Sequence, residues 1–193
     1  ARKMKPEPSM RVRVGTWGGF VFINLDDDCV PLEEFLGDLP GHFTDWPLED
    51  RYKAVHVGKI MACNWKLAQE AFMESFHVVA THPQLLPGMG DTITQYDAFG
   101  HFARGITPNG SVSTHLRWSP TEQEMLDALV DRSLDVPSPM VVPEGGTARR
   151  TLADNRRAGL APVIGAEMAD ALSDAEVNDS IVYVVFPNFH PWG

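Results

Sequence analysis

The sequence predicts an α+β domain with a mainly antiparallel sheet. Strand-like segments come first, one amphipathic helical segment follows, and a helical insertion then separates further strand-like segments. Strands and helices do not alternate regularly, as they would in a parallel α/β sheet. The chain has 193 residues, 44% of them hydrophobic, which suits one domain or most of a larger one.

The sequence of the N-terminal third predicts three strands and a short helix. Residues 11–25 are rich in β-branched and aromatic residues, so we expect two strands that turn near Gly15 or Gly18-Gly19. Pro31 begins a short helix, because proline is favoured in the first turn. Residues 51–63 alternate in part between apolar and polar side chains and predict another strand.

The segment from Trp65 to about Val79 predicts the central helix. Its apolar stripe, with residues recurring every three to five positions, consists of Leu67, Ala71, Phe72, Ser75, Phe76 and Val79. On such a helix Glu70, Glu74 and His77 would share the opposite face. His82 would lie about 140° further round than His77, so the two rings can meet only if the helix loosens. Pro83 disfavours helix at His82 and predicts that break.

The second half of the chain predicts more strands and a helical insertion. Residues 92–118 suggest two or three strands, with a turn at Pro108-Asn109-Gly110 between two of them. Ser119 is expected to cap a helix that starts at Pro120. A loop is expected over about 133–146, followed by helices over 147–160 and 165–171. Ser173–Glu176 should form a capping box, and Ser180–Phe186 a buried strand.

Composition narrows the classes of partner and location. A net charge of −10 argues against nucleic acid and anionic membranes. No apolar run is long enough to span a membrane and no signal peptide is visible, so we expect a cytoplasmic location. Cys29 and Cys63 belong to no cluster or zinc-ribbon motif, and we expect reduced, partly buried thiols. The chain lacks an initial Met and stops directly after a strand, so we expect a piece of a longer protein.

The clearest chemistry lies between Glu70 and Pro83. His77 and His82 are five residues apart, and Glu74 precedes His77 by three. Imidazole binds iron, zinc and copper, and a nearby carboxylate can orient the ring. Two histidines and one carboxylate form the facial triad of non-haem iron oxygenases. Two histidines at this spacing also occur by chance, so a structural role for both is the alternative.

The surrounding sequence resembles the catalytic α subunit of Rieske-type, aromatic-ring-hydroxylating non-haem iron oxygenases. The family motif is matched here by Asn64-Trp65-Lys66, Glu70, Glu74, His77, His82 and Pro83. Residues Trp17–Asp26 resemble the end of the family's Rieske domain, and Phe186–Gly193 resemble a strand segment of its catalytic domain. Ala71 departs from the pattern, because the family usually has Asn there.

The resemblance implies a fold and a set of site residues. Residues 1–28 would be the last strands of a Rieske domain, and residues 29–193 the first part of a helix-grip (START/Bet v1-like) catalytic domain. His77 and His82 would bind iron, and Glu74 would be the carboxylate that bridges to a Rieske cluster. The third ligand, an Asp, would lie beyond Gly193, and the cluster ligands before residue 1. Glu70 is the nearest substitute ligand, but a structural role suits it better.

The resemblance also implies an activity. In the intact enzyme, mononuclear Fe(II) would activate O2 to hydroxylate an apolar, aromatic substrate, with mono- or dioxygenation left open. Electrons would come from NAD(P)H through a reductase or ferredoxin and a Rieske [2Fe–2S] cluster that this chain does not ligate. The assembly would be a homotrimer or α3β3. The rival hypotheses are a non-catalytic helix-grip module that binds an apolar ligand, and a zinc hydrolase using His77, His82 and an acid.

The other notable side chains predict packing or surface roles. His56, His101 and His115 are expected in strands with structural or surface roles, and His42 and His190 in loop packing. Asp26-Asp27-Asp28 lacks the spacing of a calcium loop and predicts a solvated turn. Core packing is expected for most of the methionines and phenylalanines near the histidine pair, although some could line an apolar cavity: Met61, Phe72, Met73, Phe76 and Met89.

Overall fold

The computed structural model describes residues 11–130 and 138–192. The chain forms two compact units. The first contains the described residues up to Met61 together with Phe99–Phe102, and the second contains the remaining described residues. Helices and short antiparallel strands are both present, so the α+β prediction is confirmed.

The first unit begins with a β-hairpin. Strands β1 (Arg13–Trp17) and β2 (Phe20–Asn24) are antiparallel, with Trp17 opposite Phe20. The two turn residues, Gly18 and Gly19, have φ angles of +58° and +78°. Glycine suits this turn because other residues rarely adopt positive φ. The turn is therefore at the second of the two predicted positions.

A small core follows the hairpin. Helix α1 (Leu32–Leu36) starts directly after Pro31, as predicted, and two 3-10 turns follow at Leu39–Phe43 and Leu48–Asp50. The ring of Trp17 meets that of Phe43 edge to face, with centroids 5.6 Å apart. The buried apolar residues of this core are Leu36, Leu39, Phe43, Leu48 and Phe102.

The strand predicted over residues 51–63 is wrong. The structure has no strand there, and Tyr52, Val57 and Ile60 are 87%, 79% and 99% exposed. An alternating pattern forms a strand only when a neighbouring strand satisfies its backbone. The described residues contain just two sheets, β1–β2 and β3–β4–β5, and neither includes this segment.

A three-stranded sheet lies mainly in the second unit. Strands β3 (Gln95–Phe99) and β4 (Phe102–Thr107) form a hairpin, and β4 lies between β3 and β5 (Ser180–Val185). Two strands within residues 92–118 are therefore confirmed.

The turn expected between those two strands is misplaced. The hairpin turns at Gly100-His101, and Gly100 has a φ of +58°. Pro108-Asn109-Gly110 instead follows β4. The side-chain amide of Asn109 donates a 2.7 Å hydrogen bond to the backbone carbonyl of Asn178, so this turn connects the end of β4 with the start of β5.

Four helices form the predicted insertion: α4 (Glu122–Val130), α5 (Ala148–Ile164), α6 (Ala166–Ala171) and α7 (Asp174–Asn178). Part of the loop predicted before α5, residues 133–137, lies outside the described residues. Helix α5 extends four residues beyond its predicted end. Packing between α4 and α5 forms a core that includes Met125, Leu126, Ala148 and Leu152. The second and third helices of the chain, αA (Trp65–Met73) and αB (Val78–Thr81), precede this insertion and flank the residues Glu74–His77.

Two helix starts in this region test the capping predictions. The Ser173–Glu176 capping box is confirmed, because the Ser173 hydroxyl accepts the Glu176 N–H and the Glu176 carboxylate accepts the Ser173 N–H. The Ser119 cap is wrong. Thr121 caps α4 instead, through a reciprocal pair of hydrogen bonds with Glu124.

The end of the described chain runs back along β5. Antiparallel bridges pair Val185 with Phe189 and Val182 with Trp192. Strand β5 is largely buried, as predicted, although it ends at Val185, one residue early. Within the described residues no helix is both long and apolar enough to cross a membrane. Both cysteines are free, but Cys63 is exposed rather than partly buried.

Candidate metal centre

The predicted central helix is interrupted at Glu74. Helix αA ends at Met73, and Glu74 has extended backbone angles (φ −88°, ψ 153°), although its N–H still reaches the Glu70 carbonyl. The Glu74 carboxylate accepts the backbone N–H of His77, the residue before αB, at 3.0 Å. The prediction of one helix to Val79 is therefore wrong, because the backbone leaves the helical conformation at Glu74 and a new helix starts at Val78.

Glu74 also holds the His77 ring. Its Oε1 atom lies 2.5 Å from His77 Nδ1, and both side chains are about one-third exposed, at 28% and 32%. A carboxylate on one imidazole nitrogen fixes the ring orientation and the tautomer. Nε2 of His77 is thereby left as the nitrogen available to a metal ion. Glu74 and His77 are thus paired, as the sequence suggested, but they do not share one face of a continuous helix.

The rings of His77 and His82 lie beside each other. Their centroids are 5.4 Å apart and their planes meet at 75°. His82 follows αB directly and precedes Pro83. Its backbone angles are not helical (φ −132°, ψ 46°). The predicted break at His82 is confirmed. A single turn of helix thus connects the two histidines and brings their rings together.

The electrostatics of the pair favour an ionised carboxylate. Partial burial acts to raise the pKa of Glu74, but hydrogen bonds from the His77 ring and from backbone N–H groups of His77 and Phe76 act to lower it. Attraction to the His77 ring adds to these hydrogen bonds. The net effect lowers the pKa of Glu74, so the carboxylate is negatively charged near neutral pH.

The imidazoles of His77 and His82 are suited to be two of the three protein ligands of a facial-triad iron site. In the part of the chain that the structure describes, no cluster of three or more His, Cys, Asp or Glu side chains could hold a metal ion. Glu70 is exposed, and its backbone carbonyl accepts the Glu74 N–H.

Sequence reasoning missed one residue of this region. Ser75 was assigned to an apolar stripe, yet it is buried through hydrogen bonds and is only 4% exposed. Its hydroxyl contacts the Asp91 carbonyl, Thr94 and Tyr96. A serine in the middle of an otherwise apolar stripe was the available signal, because a buried hydroxyl needs partners.

The remaining histidines have packing or surface roles, as predicted, but none lies in a strand. His101 stacks on Phe35 with centroids 4.4 Å apart, and His42 packs edge to face against Phe99. His115 Nδ1 lies 3.0 Å from Asp91 Oδ2, and His56 is exposed. His101 lies in the turn between β3 and β4, whereas the segments around His56 and His115 are loops or turns, because they have no pairing partner in the described sheets.

Two cavities flank the elements of the second unit. A cavity of about 290 Å³ lies between αA and the chain end, lined by Ala68, Gln69, Phe72, His190 and Trp192. Phe72 therefore lines an apolar cavity, whereas Phe76 is 75% exposed. A larger cavity of about 690 Å³ lies among α5, α6 and α7, and its charged lining includes Arg157 and Asp174. Neither histidine of the pair lines either cavity.

Comparison of the sequence with models of known protein families shows which family the chain belongs to. Residues 41–190 match the family described as the ring hydroxylating alpha subunit (catalytic domain). The chain belongs to this family. The match covers the histidine pair, Glu74 and the strands beside them, so the resemblance noted from the motif is confirmed.

Curated relatives of the family are named as mono- and dioxygenases. The chain is 33% identical over 75 residues to the glycine betaine monooxygenase oxygenase subunit of Pseudomonas aeruginosa, covering 39% of the chain and 18% of the relative. It is 30% identical over 95 residues to the chlorobenzene dioxygenase subunit alpha of a Cupriavidus species, covering 46% and 21%. The chain thus spans about a fifth of the length of these relatives.

Among solved structures, the chain is similar to naphthalene 1,2-dioxygenase with indole bound in the active site. The sequence identity is 17% and the TM-score is 0.44. The superposed region covers 93% of this chain and 38% of that chain.

Proposed function

We propose that this chain is part of the α subunit of a Rieske non-haem iron oxygenase. His77 and His82 serve as two ligands of a mononuclear Fe(II), and an Asp beyond Gly193 completes the triad. The bound iron supplies O2 activation for hydroxylation of an organic substrate. The observation that carries this proposal is the Glu74–His77–His82 arrangement, in which one imidazole is oriented by a carboxylate and lies 5.4 Å from the second.

Glu74 has a second role in this proposal. Its carboxylate orients His77 and bridges the iron site to a Rieske [2Fe–2S] cluster that belongs to another part of the assembled enzyme. The lowered pKa of Glu74 supports this role, because an ionised carboxylate accepts a hydrogen bond from the metal-bound ring and from a donor on the cluster side. Electrons reach the cluster from NAD(P)H through a reductase or ferredoxin.

The substrate class is apolar, with aromatic rings as the expected type. The support is the family match to a ring hydroxylating subunit. The curated relatives are named for both a quaternary ammonium compound and an aromatic compound. The family description, a ring hydroxylating alpha subunit, favours the aromatic type.

The proposal includes a domain assignment and an assembly. Residues 1–28 form the end of a Rieske domain, and residues 29–193 form the first part of a helix-grip catalytic domain. The match to the catalytic domain, over residues 41–190, lies within the second of these ranges. The intact enzyme assembles as a homotrimer or as α3β3, so that a cluster on one subunit faces the Glu74 of its neighbour.

The experiment that tests the function is a substitution of His77 in the intact protein that carries this chain. His77→Ala should lower both the iron content and substrate oxidation by at least about 100-fold, because a ligand is removed. His56→Ala, at an exposed histidine outside the site, is the matched control and should change neither. Survival of iron and oxidation in His77→Ala would contradict the proposal. Absence of metal in the wild type would favour a binding module, and zinc with hydrolysis would favour a hydrolase.

A further inference from the structure

The loop between αA and αB determines how the metal-site residues face each other. Glu74 follows αA, His77 precedes αB, and only Ser75 and Phe76 lie between them. Glu74 keeps one backbone bond to αA, from its N–H to the Glu70 carbonyl, and the Ser75 carbonyl accepts the Val78 N–H of αB. Between these two bonds the loop lies outside regular helix, so contacts with other parts of the second unit also fix its position.

Ser75 provides those contacts. Its hydroxyl donates to the Asp91 carbonyl at 2.7 Å and lies 3.1 Å from the Tyr96 hydroxyl. Its backbone N–H donates to the same Tyr96 oxygen at 3.1 Å. Thr94 Oγ1 lies a further 2.9 Å from the Ser75 hydroxyl. The hydroxyl and the backbone N–H of Ser75 are thus bound to the segment that enters β3 and to β3 itself.

Burial distinguishes Ser75 from the residues on either side of it. Ser75 is 4% exposed, whereas Glu74 is partly exposed and Phe76 is 75% exposed. A buried hydroxyl with three oxygen neighbours has little freedom, because each lost hydrogen bond in a buried place leaves an unsatisfied group. The hydrogen bonds therefore fix the loop at its centre, one residue from Glu74 and two from His77.

We propose that Ser75, held by Tyr96, is a positioning residue for the metal site. By fixing the loop it keeps the Glu74 carboxylate on Nδ1 of His77 and the His77 ring beside that of His82. Ser75 and Tyr96 do not touch the metal or the reacting molecules. Their effect on the site is transmitted through the backbone of residues 74–77. This inference rests on the proposed function, because it presumes that His77 and His82 bind iron.

Two substitutions in the intact protein test it. Ser75→Ala removes all hydroxyl contacts, and Tyr96→Phe removes only the oxygen that binds both groups of Ser75. The iron dissociation constant, measured anaerobically against a chromogenic chelator, should rise about 10- to 100-fold in both variants, as for other outer-shell changes at metal sites. The visible absorption spectrum of the Co(II)-loaded protein should also change, because its bands depend on ligand geometry.

The matched control is Ser138→Ala. Ser138 is also a buried serine, 8% exposed, and its hydroxyl accepts the Met140 N–H at 3.0 Å, away from residues 74–77. This variant should lose stability but keep the wild-type iron dissociation constant and cobalt spectrum. Tyr96→Phe gives an independent test if Ser75→Ala does not fold, because Tyr96 is 46% exposed and its ring is kept.

The outcomes separate this inference from the proposed function. If the wild type binds iron through His77 and His82 but Ser75→Ala and Tyr96→Phe behave like Ser138→Ala, the positioning role is wrong and the proposed function stands. If the wild type holds no iron, or if His77→Ala keeps its iron, the proposed function fails and the positioning role fails with it.

Discussion

Oε1 of Glu74 lies 2.5 Å from Nδ1 of His77, while Oε2 of the same carboxylate accepts the His77 backbone N–H. One carboxylate therefore holds both the backbone and the ring of His77. Glu74→Gln keeps the size of the side chain but removes its charge. We expect the intact enzyme to retain most of its iron and to lose about 10- to 100-fold in substrate oxidation.

The control for this substitution is Glu74→Asp, which keeps the charge and should retain more activity than Glu74→Gln. Iron content, steady-state oxidation and the rate of cluster reoxidation should be measured together. Equal oxidation rates in Glu74→Gln and the wild type would remove the bridging role from Glu74.

The 193-residue chain by itself should bind iron weakly. Two imidazoles lack the anionic ligand that partly neutralises Fe(II) and defines the open positions. Metal analysis after gel filtration should find well below one iron per chain, whereas the intact protein should retain its iron. One tightly held iron per isolated chain would show that a ligand within these residues replaces the expected Asp.

Gly110 should be intolerant of a side chain. Its φ is +80°, and a Cβ built on it would lie 2.5 Å from Cβ of Arg149. Gly110→Ala should therefore cost about 2–3 kcal/mol of unfolding free energy, from strain and overpacking together.

Gly100→Ala is the matched control, because Gly100 also has a positive φ, +58°, but a Cβ there would meet nothing within 4 Å. It should cost only the backbone strain, about 1 kcal/mol. Urea denaturation measures both values. Equal losses in the two variants would mean that contact with Arg149 adds nothing.

His190 should make stability depend on pH. Burial lowers its pKa from the ordinary value of 6.5, and its Nδ1 has no hydrogen-bond partner among the described residues. As the pH falls, the unfolded chain binds the proton first. The contribution of His190 to stability is thus fully present above about pH 6.5 and is lost as the pH falls toward the folded-state pKa.

The measurement is the unfolding free energy between pH 7 and pH 5, compared between the wild type and His190→Leu. The variant should show a shallower decline over this interval. His56→Leu, at an exposed histidine, should keep the wild-type slope. An unchanged slope in His190→Leu would exclude burial of this ring as a source of the pH dependence.

Local signals in the sequence predicted the structure best where neighbouring residues suffice. The capping box at Ser173 and Glu176 and the turn at Gly18-Gly19 depend on residues a few positions apart, and both are present. The strand predicted over residues 51–63 depends on a distant partner strand, which periodicity cannot reveal. The break at Glu74 was missed because the helical apolar period continues through it, while the backbone there is extended.

The candidate site was predicted in part for the same reason. His77, His82 and Glu74 are close in sequence, so a motif and a helix break were enough to bring them together. Ser75 was assigned to the wrong class of contact, because its partners Asp91 and Tyr96 are 16 and 21 residues away. Hydrogen bonds over such separations leave no periodic signal in the sequence.

Helix αA has a practical consequence for handling the chain. In the described structure it has no buried residue, although Trp65, Leu67 and Phe72 are apolar and 47%, 61% and 55% exposed. Clustered exposed apolar side chains favour self-association. Light scattering of the purified 193-residue chain should therefore increase with concentration, and a mild non-ionic detergent should reverse it. Buffers for expression and storage of this chain should therefore be chosen to limit self-association.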